Sequence, residues 1–196
     1  MPDFEYETQA GAHQSRIICG VDEAGRGPLS GPVVAAAVIL DPGNIPEGLN
    51  DSKALSHSAR ERLLNVLTKN AQIGIGIAEP AEIDRINILW ASMEAMRRAV
   101  ENLYMSVDYA LIDGNRVPPN LYCDAHAIVK GDAKSLSIAA ASVVAKVTRD
   151  RLMAEANLRF PGYGWAGHKG YPTKAHKAAI DELGRSPAHR WTFGKP

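Results

Sequence analysis

The chain has 196 residues, of which 45% are hydrophobic, with 22 Lys and Arg balancing 22 Asp and Glu. This composition excludes a disordered polyelectrolyte, and the length fits one domain better than two, since domains usually run to about 100–200 residues. The two cysteines, Cys19 and Cys123, have no close Cys or His partner, which excludes a zinc site or a disulfide framework and favours a reducing compartment. The N-terminus MPDFEYETQAGAHQSR is polar, without the apolar core of an export signal, and the longest apolar run, residues 33–40, is too short to cross a bilayer. A cytoplasmic protein without membrane association is expected, and a monomer, because a chain of this length buries roughly 70% of its surface unaided. The zero net charge conceals an asymmetry. Residues 1–113 carry 9 Lys and Arg against 16 Asp and Glu, whereas residues 114–196 carry 13 against 6. Such a division suits an enzyme that meets a polyanion on one side and a metal on the other, although the charges can equally scatter and neutralise in the fold.

In chain order, residues 1–15 read as a flexible leader, and residues 16–196 as a single domain. Residues 16–22 (RIICGVD) form an apolar run ending in a carboxylate, which predicts a buried strand. The turn EAGRGPLSGP follows, then a second strand over residues 33–40 (VVAAAVIL). Residues 58–69 place Leu63, Leu64 and Leu67 at helical spacing. Residues 73–78 (IGIGIA) alternate strictly and predict a strand whose glycines allow close packing on one face. A long amphipathic helix is expected over residues 87–104, with Leu89, Met93, Met96, Val100 and Leu103 on one side. Residues 109–113 (YALID) form a short buried strand that again ends in Asp, and a further strand is expected near residues 126–129. Residues 133–158 read as mostly helical. A glycine-rich loop, FPGYGWAGHKGYP, separates them from a last helix capped by Thr173. Strands alternating with helices indicate an α/β domain, and the closely spaced early strands suggest a mixed sheet.

The two strands expected at the centre finish on acids: Asp22 with Glu23, and Asp113. Ionised carboxylates are almost never buried unpaired. Several of them at neighbouring strand ends make chemical sense if a cation neutralises them, and an all-oxygen donor set suits Mg²⁺ or Mn²⁺. Each acid taken singly can instead cap a helix or pair with an Arg. Asp132, in KGDAK, precedes the long helix as either an N-cap or a member of the cluster. Asp150, between Arg149 and Arg151, reads as salt-bridged, and Asp51 as the holder of a turn. Gly25-Arg26-Gly27 is neither a P-loop nor a dinucleotide fingerprint, but it lets backbone approach a ligand beside two acids while Arg26 reaches phosphate. The loop from Tyr163 to Tyr171 mixes rings and cations, a combination that serves either stacking and phosphate contact or core packing.

Taken together, the segments GVDEAGRGPLSGPVVAAAVIL, LNDSKALS, EIDRINILWASMEAM, LIDGN, KGDAKSLSIAAASVVAKVTRDRLM, HKGYPTKAH and HRWTFG resemble the ribonuclease HII family, in one order over nearly all of residues 16–194. The resemblance implies a ribonuclease H-like fold, a mixed sheet flanked by helices with a C-terminal helical region that helps grip a duplex. It implies four catalytic, metal-binding carboxylates, carried here by Asp22, Glu23, Asp113 and Asp132, with Asp150 the alternative for the fourth. It further implies that Gly25, Arg26 and Gly27 contact a ribose 2′-OH and that Tyr171 packs on the adjoining deoxyribose. No additional N-terminal domain is expected, which separates the chain from ribonuclease HIII.

The function implied is cleavage of the RNA strand of RNA–DNA hybrids, and of duplex DNA on the 5′ side of an embedded ribonucleotide. It would leave 3′-hydroxyl and 5′-phosphate ends, with two Mg²⁺ or Mn²⁺ ions. Lys53, Lys146, Arg149, His168 and Lys169 are candidates for phosphate contacts, which would weaken with salt. The tail RWTFGKP is a candidate contact point for a partner protein. Three readings compete. A resolvase-like or integrase-like nuclease would need no 2′-OH reader, a non-catalytic duplex-binding module would be repelled by the acids, and a phosphotransferase would need a phosphate-cradling loop that is missing.

Overall fold

The computed structural model describes residues 1–193, so the last residue of HRWTFG and the end of the tail lie outside the described residues. The elements are α1 (Glu5–Gln9), β1 (Ile18–Ala24), β2 (Val33–Leu40), α2 (His57–Asn70), β3 (Ala71–Ala78), α3 (Pro80–Glu101), β4 (Tyr109–Asp113), β5 (Asp124–Ile128), α4 (Leu136–Arg159), α5 (Trp165–His168) and α6 (Lys174–Leu183). The strands form one five-stranded sheet in the order β3-β2-β1-β4-β5. β1, β2 and β3 pair antiparallel as a meander, whereas β4 and β5 run parallel to β1 after the α3 crossover, so the sheet is mixed.

Strand side chains alternate between faces, and that period sorts the core. Cys19, Val21, Val33, Ala35, Ala37, Ala110 and Ile112 pack with Ala95, Met96 and Val100 of α3 on one side. Ala36, Val38 and Leu40 pack with Leu63 and Leu67 of α2 and with Ala140, Val143 and Val144 of α4 on the other. Asp22 and Asp113 share the parity of Gly20 and Leu111, and so both face the α4 side.

Glycines set how closely the layers approach. A Cβ on Gly74 would lie 2.1 Å from the carbonyl oxygen of Ala99, and one on Gly76 2.0 Å from that of Ala95, so the glycine face of IGIGIA meets the backbone of α3. On the opposite face, a Cβ on Gly20 would lie 2.1 Å from the carbonyl carbon of Ser137. Gly20→Ala must therefore push α4 off β1 beside Asp22. We expect a loss above the roughly 1–3 kcal/mol usual for overpacking, read as a lowered denaturant midpoint. An unchanged midpoint would mean that the first turn of α4 yields freely.

Helix limits follow local chemistry. Ser56, Ser135 and Thr173 cap α2, α4 and α6, each side-chain oxygen accepting a backbone N–H three residues on. The cap of α4 is Ser135, not Asp132. The helix expected to start at Asn87 starts at Pro80 and kinks at Asn87, where φ is 66°. Asn87 Oδ1 accepts from Leu89 and Trp90 N–H as the N-cap of a second segment.

The first 15 residues correct the expectation of a flexible leader. They form α1 and a short 3₁₀ turn, Ala12–Gln14, that lie against the body: Tyr6, Ala10 and Ala12 pack on Ile18, Leu111 and Ile138, and the Glu7 carboxylate is buried. The polar composition that suggested a tail instead supplies hydrogen bonds to the start of α4. No helix among the described residues is long and apolar enough to cross a membrane.

Candidate active site

β1 and β4 lie side by side, and Asp22 and Asp113 each stand one residue past the last paired positions, Val21 and Ile112. Both side chains therefore emerge together on the α4 side. The 3₁₀ turn Gly131–Ala133 brings Asp132 to the same place, and its Gly131 N–H donates to Asp113 Oδ1 at 2.7 Å. One oxygen from each of Asp22, Asp113 and Asp132 falls within a 4.8 Å group, a donor set able to hold a metal ion.

Glu23 stands outside that triad. It borders the same cleft as Asp22 but ion-pairs with Arg26 at 3.2 Å. Asp150 also stands apart, one turn along α4 from Lys146, which it pairs at 2.8 Å. Between the two candidates for the fourth acid, Asp132 is the one beside Asp22 and Asp113.

Electrostatics tells the same story as the distances. Burial, and then the charges of Glu23 and Asp113, push the Asp22 carboxyl well above its ordinary pKa. Asp132 is raised by burial and by Asp113 and Asp51. Burial also raises Glu23, against the opposing pull of Arg26. A divalent cation would relieve these repulsions, and the all-oxygen donor set suits a hard ion, so the residues present fit the implied metal. Lys53 Nζ lies 3.8 Å from Asp132 Oδ2 with its side chain largely exposed. Asp51 keeps a structural part, accepting the Lys53 backbone N–H at 2.9 Å.

Beside the triad, a cleft of about 280 Å³ is bordered by Asp22, Glu23, Gly25, Arg26, Gly27, Lys53 and Tyr171. Gly25 has φ of +100°, and a Cβ there would strike Arg149 Nε at 2.1 Å, so only glycine fits. The exposed Tyr171 ring lies next to Gly27, 3.7 Å from where a Cβ would stand. Arg190, not singled out in the sequence, holds this turn from below. Its buried guanidinium donates to the carbonyls of Gly25 (2.5 Å), Arg26 (2.9 Å), Gly31 (2.9 Å) and Pro32 (3.3 Å). The only sequence signal was its place in HRWTFG, where a fully buried Arg without an acid nearby in sequence looks like any surface cation.

Several expected phosphate contacts have partners within the protein, although Lys146 and Arg149 also border this cleft. Arg149 is buried and donates to the carbonyls of Ser30, Pro32 and Lys169, so it faces backbone, because the folded loop 30–32 covers it. Lys146 is committed to Asp150. Lys169 Nζ donates to the Ala166 carbonyl at 2.7 Å. His168 accepts from Gly170 N–H at Nδ1, so its Nε2–H donates to the Tyr163 carbonyl.

The ring-rich loop is chiefly core. Trp165 is fully buried and stacks on Tyr163 at 4.9 Å. His189 Nδ1 accepts from Ser186 N–H, which leaves His189 Nε2–H to donate to His176 Nε2. Trp165 Nε1–H donates to the same nitrogen, and His176 Nδ1–H reaches the Tyr171 carbonyl. The chain of donors fixes both histidines neutral and ends on the backbone of Tyr171. Burial lowers the pKa of both, His189 to about 4.

With carboxylates at adjacent strand ends of a mixed sheet, the molecule has the ribonuclease H-like fold. The ribonuclease H2 of Pyrococcus horikoshii superposes with a TM-score of 0.74 at 29% identity, over 90% of this chain and 93% of that one. The family model for ribonuclease HII matches residues 19–195. A ribonuclease HII of Maricaulis maris is 60% identical over 97% of this chain and 88% of its own length, and one of Ruegeria pomeroyi is 56% identical over 98% and 82%. The chain belongs to the ribonuclease HII family and is a nuclease of the hydrolase class.

Proposed function

We propose that this protein hydrolyses the RNA strand of RNA–DNA hybrids and cuts duplex DNA on the 5′ side of an embedded ribonucleotide, leaving 3′-hydroxyl and 5′-phosphate ends. The observation that carries this reading is the convergence of Asp22, Asp113 and Asp132 beside the Gly25–Gly27 turn and the Tyr171 ring. Asp22, Asp113 and Asp132 would hold two divalent ions, Mg²⁺ or Mn²⁺, with Glu23 joining them if Arg26 turns to the substrate. Bound there, such ions supply an activated water and neutralise charge on the leaving oxygen.

The remaining work falls to the chain itself. The 2′-OH distinguishes RNA from DNA, and a backbone-lined turn at Gly25–Gly27 suits its recognition. Tyr171 offers a ring to the neighbouring deoxyribose, a platform that a 2′-OH would crowd. Arg26, half-exposed in its pair with Glu23, and Lys53, largely exposed near Asp132, border the cleft and are the cations proposed to meet phosphate. The same reading includes a monomer in the cytoplasm, a reducing compartment that suits the unpaired thiols of Cys19 and Cys123.

The test is a labelled DNA duplex with one ribonucleotide, beside an all-DNA control, assayed with wild type and Asp113→Asn in Mg²⁺, Mn²⁺ or EDTA. We expect one cut 5′ to the ribonucleotide that disappears in EDTA and in the variant. Cutting of the all-DNA control would overturn the substrate assignment, and cleavage that survives EDTA would overturn the role of the carboxylates.

A further inference from the structure

A carboxylate is almost never fully buried without a partner, yet Glu7 is, and no Lys or Arg among the described residues pairs with it. Its Oε1 accepts instead from Ser135 Oγ at 2.5 Å, Ser137 N–H at 2.8 Å and Ser137 Oγ at 2.5 Å. These donors form the first turn of α4, where the helix dipole favours a negative charge. The backbone on either side is clasped as well. Asp3 N–H donates to the Lys134 carbonyl and Leu136 N–H donates to the Asp3 carbonyl, both at 3.0 Å.

From there the contacts run directly to the acidic triad. Lys134 and Ser135 N–H both donate to the Gly131 carbonyl, at 2.9 and 2.8 Å, and Gly131 N–H donates to Asp113 Oδ1. Asp132 is the residue enclosed by these bonds. The turn that carries it is thus held at one end by β4 and at the other by the N-terminal segment. Glu7 makes no hydrogen bond to any of the three acids.

We propose that Glu7 is a positioning residue: residues 3–9 latch the 131–136 turn so that Asp132 stands at the metal site. This deepens the metal-dependent reading above and rests on it. Groups behind a ligand orient it, and their loss typically weakens metal affinity by about 10–100-fold. The second oxygen of Glu7 is buried without a donor, so the carboxylate is held by one oxygen only.

The experiment is a calorimetric titration of the full-length chain with Mn²⁺, at low temperature so that every variant is folded. It compares wild type, Glu7→Gln, Glu7→Ala and Leu63→Ala, the last a core substitution on α2, outside the two segments of the latch. The expected result is that Glu7→Ala raises the Mn²⁺ dissociation constant roughly tenfold or more. Glu7→Gln, which keeps an accepting oxygen, raises it less, and Leu63→Ala lowers the melting temperature while leaving the constant unchanged. Wild-type affinity in Glu7→Ala would overturn the latch and leave the metal reading standing. Equal weakening in Leu63→Ala would also overturn it, since the effect would then be general instability. Absence of Mn²⁺ binding by the wild type would remove the metal reading and the latch with it.

Discussion

Asp22→Asn is expected to abolish cleavage and yet to raise the melting temperature of the metal-free protein. The side chain is buried, and both burial and the charges of Glu23 and Asp113 lift its pKa. An acid whose folded pKa lies above its unfolded value costs stability while it is ionised. The metal-free protein should therefore gain stability as pH falls from neutral through that raised pKa. Asparagine removes the charge and keeps the oxygen that accepts the Glu23 N–H at 2.7 Å. At this chain length each kcal/mol relieved is worth about 2–4 °C. Activity should fall by at least about 100-fold, the upper end of the cost of losing even an outer partner of a metal site.

The measurement is differential scanning calorimetry in EDTA, at neutral and mildly acidic pH, for variant and wild type. The histidines act in the opposite sense. His176 and His189 have depressed pKa values, so protonating them costs stability as pH falls through the ordinary histidine range toward about 4. That loss is common to both proteins and cancels in their difference. The advantage of the asparagine variant should be largest at neutral pH and shrink on acidification. A lower melting temperature for Asp22→Asn than for wild type at neutral pH would show that the carboxylates do not repel as their burial implies.

Arg190→Lys should be nearly as damaging to the fold as Asp22→Asn is to catalysis. The guanidinium fork spans carbonyls from two separate segments, Gly25–Arg26 and Gly31–Pro32. A lysine nitrogen is one compact point and cannot span them. Pro32 keeps a donor in Arg149, so up to three carbonyls are orphaned, each at a cost of about 1 kcal/mol or more. We expect up to about 3 kcal/mol in total, or at most roughly 6–12 °C in melting temperature. Because those carbonyls hold the Gly25–Gly27 turn, cleavage 5′ to a single ribonucleotide should fall by up to about 100-fold, the effect of a small misplacement at a reacting site. Full activity alongside a lowered melting temperature would mean that the turn keeps its shape without the guanidinium.

Much of this was legible without coordinates. The strictly alternating IGIGIA announced its strand and its glycine face because strand side chains have a period of two. Asp113 at the end of YALID, and Thr173 before the last helix, stood out through apolar runs and cap chemistry that operate over a few residues. The motif set, in one order along the chain, carried the family and with it the mixed sheet. Other features misled for the same local reason. The leader looked unstructured because its docking depends on Glu7 meeting serines 128 and 130 positions away. Arg149, Lys146, His168 and Lys169 stood out as candidate phosphate ligands, but a charged residue in isolation carries no sign of the carbonyl or carboxylate that it also meets in the fold.

Residue type and spacing were enough to indicate most of the strands and helices, the family and the candidate acids, since these are written along the chain. It took the folded molecule to show that Asp132 and not Asp150 stands with Asp22 and Asp113, that Glu23 turns to Arg26, and that Arg190 props the Gly25–Gly27 turn. Those outcomes depend on strand parity and on contacts between segments that can lie more than 100 residues apart. Helix and strand periods act over one or two turns. Which carbonyl a buried cation finds, and which acids share a point in space, is settled by how the sheet and α4 close on one another.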